Sequence, residues 1–494
     1  MRRHRPFLAA ALLATLSACA DDTPTAPAPG DAGPRDPGPR GTMNATTARV
    51  VGYFPTWQGS VSAIPYNKLT HILYAFALPT TSGGLTGIAM SGDTRLASLV
   101  TQAHANGVKV LISVGGWNDT NDATFAQMAA SSTARASFVS NVGTFVSNYG
   151  LDGVDIDWEY PDAGSAESTN FTTLMGQLST AMHGSGKLLT AAVAADRYWG
   201  DGIQSTVFGY VDFLTIMAYS RDTPPHSPYW YAVASLDYWA GRGLAQSRTV
   251  LGVPFYGKNS SGVDSPYRSI VQADAQAPNK DYSNGYYYNG MSTIQQKTTL
   301  SLQRGSGVGI WELSNDTTAS TISLLSAIQT AMNSTVPAYD YTRTVYDDSL
   351  GGGWDDWSWN TTLNFASTAQ AHAGSKSIAV TYTAAWGALY LHYDFGLPPS
   401  GRSKLEFWVH GGSTGGQRII AQVGEPGSST VWLNEVPVNS YNSCGTVTAN
   451  TWCKVSIPFS ALGVTSNPIT ELVIQDDSGG AQPTFYVDDI RFVP

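Results

Sequence analysis

Asp152-Gly153-Val154-Asp155-Ile156-Asp157-Trp158-Glu159-Tyr160-Pro161 reads as the end of a β-strand, because acids alternate with apolar residues at a period of two. Successive strand side chains point to opposite faces. Asp155, Asp157 and Glu159 therefore share one face, and Val154, Ile156 and Trp158 share the other. The apolar set is suited to packing against helices, which directs the three carboxyls into whatever the strand encloses. Carboxyls stacked on one interior face cannot all ionise cheaply, so burial and mutual repulsion raise some of their pKa values. A glutamate kept protonated near neutrality is a general acid. Glu159 closes the run, and in parallel barrels the C-terminal strand ends carry the chemistry. Two rival readings are a metal site and a structural acidic ladder. No His lies near this strand in sequence, which weighs against the first, and interior acids cost too much to serve packing alone.

Working outward, apolar runs at Val50–Phe54, His71–Ala77, Val108–Val114, Gly153–Trp158, Leu188–Ala194, Phe213–Met217, Val250–Phe255 and Gly307–Trp311 read as strands. Between them lie helical patterns at Thr94–Ala105, Ala134–Asn148, Ser168–Met182, Ala232–Gly241, Thr293–Gln303 and Ser320–Met332. Strands alternating with crossover helices predict an α/β fold, a (β/α)8 TIM barrel. A doubly wound open sheet is the runner-up, weakened because no glycine-rich phosphate loop opens a helix after the first strand. Beyond Asn333–Thr342 the pattern changes to short strand-like runs: Ser377–Tyr382, Ala388–Tyr393, Lys404–Val409, Arg418–Val423, Trp452–Ile457, Glu471–Gln475 and Thr484–Phe492. Turn residues separate them, and the expectation is an all-β, jelly-roll-like sandwich. The domain plan is a signal segment at 1–19, a Pro/Ala/Gly-rich tether at 20–48, the barrel at 49–334, a linker at 335–345 and the sandwich at 346–494.

The chain of 494 residues is long enough for two such cores, and a net charge of −10 argues against nucleic acid as a partner. Its 14 Trp and 25 Tyr supply flat rings with polar edges, the surfaces on which sugars stack. Arg2, Arg3 and Arg5 precede a short apolar run, then Leu16-Ser17-Ala18-Cys19. That tetrapeptide resembles the bacterial lipoprotein signal, so Cys19 is expected to take lipid and the membrane to be met only through that anchor. Ala20 after the cysteine points to the outer membrane or cell surface, with extracellular release as a further outcome. The remaining cysteines, Cys444 and Cys453, are expected to pair as a disulfide in an exported protein.

The barrel resembles glycoside hydrolase family 18 from Val50 to about Met332. The acidic strand carries the resemblance together with Tyr53-Phe54, Phe76, Ser113-Val-Gly-Gly-Trp117, Met217-Ala-Tyr219, Gly252-Val-Pro-Phe-Tyr256-Gly257 and Gly309-Ile-Trp311-Glu312-Leu313. It implies chitinase chemistry in which the substrate's own N-acetyl group is the nucleophile, one of the exceptions to the two-carboxylate scheme. On that basis Glu159 protonates the leaving oxygen, Asp157 holds the acetamido group, Asp155 tunes Asp157, and Tyr219 bonds the acetamido carbonyl. Trp311 forms the floor under the sugar. Met217, Tyr53 and Tyr256 line the pocket, and Trp117 is a platform beyond the cleavage point. Catalysis needs no cofactor, and the expected partners are chitin or N-acetylglucosamine oligosaccharides, met as a monomer. Ser220 stands where many such enzymes have Asp, and Asp222 is out of register to replace it. The short Gly257–Gly305 segment implies a shallow groove and internal cleavage. An N-glycan-cleaving endoglycosidase and a non-catalytic chitin-binding lectin are the competing functions.

In the sandwich, Trp354, Trp357, Trp359, Trp386, Tyr390 and Trp432 suggest a carbohydrate-binding module. Tyr346–Trp359 and Tyr486-Val-Asp488-Asp489-Ile490 are similar to segments of jelly-roll modules. Asp347, Asp348 and Asp489 are candidates for a structural Ca2+; the metal content is otherwise left open. Because the barrel motifs are complete before Thr335, the sandwich is expected to serve insoluble chitin and to be dispensable on soluble oligomers.

Overall fold

A computed structural model describes residues 47–87, 94–117, 119–219, 224–427 and 429–494. The signal segment with Cys19, nearly all of the tether, and Ser220 and Asp222 lie outside the described residues. Eight strands form the first body: β1 (Arg49–Pro55), β2 (His71–Pro79), β3 (Lys109–Gly115), β4 (Gly153–Asp157), β5 (Leu188–Ala194), β6 (Phe213–Met217), β7 (Thr249–Pro254) and β8 (Gly307–Trp311). Each neighbouring pair is parallel, and β1 pairs with both β8 and β2, so the sheet closes into the expected barrel. The strands read as nearly unbroken apolar runs because both faces are covered. Val154, Ile156 and Trp158 face the helical layer, where Trp158 stacks on Phe125 at 5.3 Å and donates to Asp122 at 2.8 Å. Tyr53, Leu73, Ala75, Leu111 and Phe213 fill the interior.

The helices described in this first body are α1 (Thr94–Ala105), α2 (Asp119–Ala130), α3 (Ser132–Asn148), α4 (Ala166–Gly184), α5 (Arg197–Gly200), α6 (Tyr229–Gly241), α7 (Tyr267–Ala273), α8 (Met291–Arg304) and α9 (Leu324–Met332). Periodicity missed three of them. The polar first half of α2 hides its stripe, and α5 and α7 are too short to show one. Between β7 and β8, four short antiparallel strands form a small sheet: Tyr256–Asn259, Asp264–Pro266, Tyr282–Ser283 and Tyr286–Tyr287.

The second body is a sandwich of two antiparallel sheets, built from β9 (Arg343–Tyr346), β10 (Trp354–Asp356), β11 (Thr361–Ser367), β12 (Ser377–Tyr382), β13 (Ala388–Leu397), β14 (Lys404–His410), β15 (Ile419–Glu425), β16 (Trp452–Pro458), β17 (Ile469–Asp476) and β18 (Gln482–Val493). One sheet runs β11-β12-β18-β14-β16 with β9 beside β18, and the other runs β10-β13-β17-β15. A disulfide joins Cys444 to Cys453.

Helix α6 ties the bodies together. Tyr231 through Gly241 are all buried, the mark of a helix covered on every side. Trp239 packs inward against Phe208 at 5.8 Å, while Ala234 joins the sandwich core and Tyr231 meets Phe395 edge-on at 5.9 Å. Asp237 is fully buried and bonds Arg304 of the barrel at 2.7 Å and Arg343 of the sandwich. Burial alone would raise its carboxyl, but the guanidinium groups of Arg343, Arg304 and Arg402 hold it below the usual range.

Candidate active site

Strand β4 carries Asp155 and Asp157 inward, at 0% and 3% exposure, and Glu159 follows two residues past its end. Three hydroxyls donate to Asp155: Thr190 at 2.6 Å, Ser113 at 2.8 Å and Tyr53 at 3.2 Å. Burial raises the Asp155 carboxyl, and these bonds oppose the rise. Asp157 is raised well above its ordinary value by burial and then by the charges of Glu159 and Asp155. Its Oδ1 is buried with no hydrogen-bond partner among the described residues. Burial pushes Glu159 up to about 7, against a bond from the Tyr160 hydroxyl. The ladder therefore holds a satisfied acid at its base, an unsatisfied one in the middle and a protonatable one at the mouth.

Local sequence explains how neighbours approach this strand. Gly116 N–H donates to Asp157 O at 2.9 Å. Gly115 and Gly116 have φ of 120° and 90°, and a Cβ on Gly115 would lie 2.1 Å from that same oxygen. Gly252 does the equivalent for Tyr219, since a Cβ there would sit 2.8 Å from its ring. Tyr219 packs with Met217, Tyr160 and Trp311 in one cluster over the acids and meets Tyr256 edge-on at 6.4 Å. Trp311 is half-buried, stacked on Phe76 at 5.7 Å.

The geometry thus gathers Glu159, Asp157, Asp155, Tyr219, Met217, Tyr256 and Trp311 at one end of the barrel. Trp117 stands at the rim, 69% exposed and 6.4 Å from Tyr160. Tyr53 sits beside this group. It is 1% exposed, lies against Trp311 at 5.5 Å and spends its hydroxyl on Asp155. Sequence reasoning missed Thr190, whose signal was a lone hydroxyl in the apolar run Leu188–Ala194. It also missed Trp57, exposed beside Phe76 at 6.2 Å, and Trp199, stacked on Tyr160 at 5.5 Å. Trp57 lies in the turn after β1 and Trp199 on the four-residue α5, both too short to show periodicity.

A further network supports Tyr219 from behind. Buried Lys297 of α8 donates to Ser227 O and to Ser227 Oγ and Asn289 Oδ1, the last two at 2.7 Å. Ser227 Oγ in turn donates to Ala218 O at 2.6 Å, beside Tyr219. Among the described residues, no group of three or more His, Cys, Asp or Glu gathers to hold a metal. The acids suggested for Ca2+ have other partners: Asp348 accepts from Ser375 and Lys376 backbone N–H groups, and Asp489 bonds His372 and Arg491. Arg491 also faces Asp347 at 3.6 Å.

Comparison with known proteins places this geometry. Residues 49–316, more than half of the chain, match the family described as Glycosyl hydrolases family 18, and residues 342–494 match Carbohydrate binding domain 30. The crystal structure of the family 18 chitinase ChiB from the chitin utilization locus of Flavobacterium johnsoniae is 30% identical, with a TM-score of 0.52 over 58% of this chain and 94% of that one. A chitinase from Bacteroides thetaiotaomicron is 26% identical, with a TM-score of 0.53 over 58% of this chain and 96% of that one. Probable chitinase 2 of Drosophila melanogaster is 28% identical over 259 residues, 45% of this chain and 53% of its own length. The chain spans about half, or less, of the length of the first curated relatives it matches.

Proposed function

Since the chain belongs to the glycosyl hydrolases of family 18, we propose that it is an endo-acting chitinase, cutting β-1,4 bonds between N-acetylglucosamine units with retention. Glu159 donates its proton to the leaving glycosidic oxygen and later takes one from water. The acetamido oxygen of the bound sugar attacks the anomeric carbon, the substrate-assisted route that departs from the two-carboxylate scheme. Asp157 receives the acetamido N–H, and Tyr219 donates to the acetamido oxygen. Asp155, held by three hydroxyls, shares its proton with Asp157 and sets that neighbour's charge. The observation that carries this reading is the pairing of a carboxyl raised to about 7 with an unpartnered acceptor, Asp157 Oδ1, one strand repeat below it.

The segment between β7 and α8 holds four short strands and α7, and its small size supports internal cleavage. A lectin would have no use for a poised proton donor. Export as a lipoprotein through Cys19 belongs to the same proposal. Chitin oligosaccharides and a high-mannose glycoprotein, digested side by side, separate the possible activities. Internal cleavage of the oligosaccharides with the glycoprotein left intact is expected. Release of N-glycan without action on chitin oligosaccharides would overturn the assignment.

A further inference from the structure

The rings at the mouth of the barrel continue onto the sandwich. Beyond Tyr160 and Trp199, Tyr198 meets Trp199 edge-on at 4.7 Å and is 78% exposed. Both rings belong to α5, and its N-cap Asp196 is anchored to α6 by the Tyr231 hydroxyl at 3.0 Å. Here the two bodies meet. Asp394 of β13 acts electrostatically on Asp196 and is itself held below the ordinary range by His392 and then Arg197.

From Asp394, strand alternation places His392 and Tyr390 on the outer face of the sheet, at about 3.3 Å per residue, while Leu389, Leu391 and Tyr393 enter the core. His392 donates to Asp394 at 2.8 Å and lies flat against Trp357 at 3.7 Å. Tyr390 is ringed by Trp357, Trp359 and Trp432 at 5.4–5.9 Å. Those three tryptophans are exposed, whereas Trp354 is buried in the core. The sandwich aromatics thus divide, and Trp357, Trp359 and Trp432, contributed by other segments, pack over Tyr390 and His392 of β13. The two halves are also fixed to each other by the buried Asp237 cluster. Gly352 presses so closely on Trp230 that a Cβ would lie 2.3 Å from its ring.

We propose that the outer face of β13 and its neighbours is a distal extension of the catalytic groove, so that one N-acetylglucosamine chain held at Glu159 also reaches Trp357, Trp359 and Trp432. This rests on the chitinase reading above. Two sites held at a fixed span turn the second contact into an intramolecular one, which strengthens binding only for a ligand long enough to reach both.

The test uses the full chain carrying Glu159→Gln, which binds without turnover, with chitotetraose as the short probe and soluble glycol chitin as the long one. Adding Trp357→Ala and Trp359→Ala should reduce the preference for glycol chitin over chitotetraose roughly five- to thirtyfold, the effect of losing one or two kcal/mol at a hot spot. Trp357→Tyr, which keeps a ring on His392, should restore most of it. Melting temperature checks that the variants remain folded. A preference that stays constant while binding to insoluble chitin falls would overturn the proposal and make the sandwich a holder of a separate chain. A preference that stays constant with insoluble binding also intact would overturn it as well. Failure of both soluble probes to bind the Glu159→Gln protein would overturn the chitinase reading and this extension with it.

Discussion

The proposed role of Glu159 as proton donor requires that it keep its proton, and burial supplies the reason it does so near neutrality. The kcat/KM profile should therefore fall on its alkaline side near pH 7, where the raised carboxyl ionises. Glu159→Gln should lower kcat on the order of 10²–10⁴-fold, the usual contribution of general acid catalysis. The same residue predicts a stability effect of known sign. Between the ordinary value of 4.5 and about 7, the native state holds a proton that the unfolded chain has released. Stability then falls as pH rises through that window. Glu159→Gln removes the effect, so its melting temperature should exceed wild type above about pH 7 and converge with it below about 4.5. Differential scanning calorimetry across that range checks it; a variant no more stable on the alkaline side would contradict a strained carboxylate. The acids themselves were legible because period-two alternation is local. The hydroxyls of Ser113, Thr190 and Tyr53 that satisfy Asp155 were not legible as a set, because they come from three other strands that only the closed barrel brings together.

Strands whose two faces are both covered announce themselves as apolar runs, so all eight barrel strands could be read to within two residues at either end. The short helix α5 could not, yet it presents Tyr198 and Trp199 at the mouth. Buried Lys297 was equally silent, since a lysine in an amphipathic helix ordinarily faces water. In the fold its ammonium is used three times over, and burial lowers its pKa to about 7. Lys297→Met should leave the Ser227 and Asn289 oxygens short of a donor and cost about 1–3 kcal/mol in denaturant unfolding. Because Ser227 props the backbone beside Tyr219, kcat/KM should fall as well. A variant that loses stability but keeps full kcat/KM would show that the network serves folding alone.

At the scale of the whole molecule, the sequence suggested two separable bodies, since the barrel motifs end before the sandwich begins. Helix α6 alters that expectation: its outer face is covered by the sandwich, and a buried carboxylate takes one arginine from each body. Neither feature is visible locally, because a helix apolar all round has no stripe to assign. Asp237→Asn should leave Arg304 and Arg343 buried without a counter-charge, at a cost of about 3–5 kcal/mol by denaturant unfolding. Deleting the chain from Arg343 onward should lower the barrel's melting temperature, with activity on soluble oligomers falling in step; a truncated barrel that melts normally would restore the separable picture. The central claim, that this fold hydrolyses chitin through the substrate's own acetamido group with Glu159 as acid, has a direct readout in product stereochemistry. Time-resolved proton NMR of N-acetylglucosamine oligomers during the first turnovers should show the β-anomer accumulating ahead of mutarotation. First appearance of the α-anomer would contradict retention, and with it the account of how Glu159, Asp157 and the bound sugar share the work.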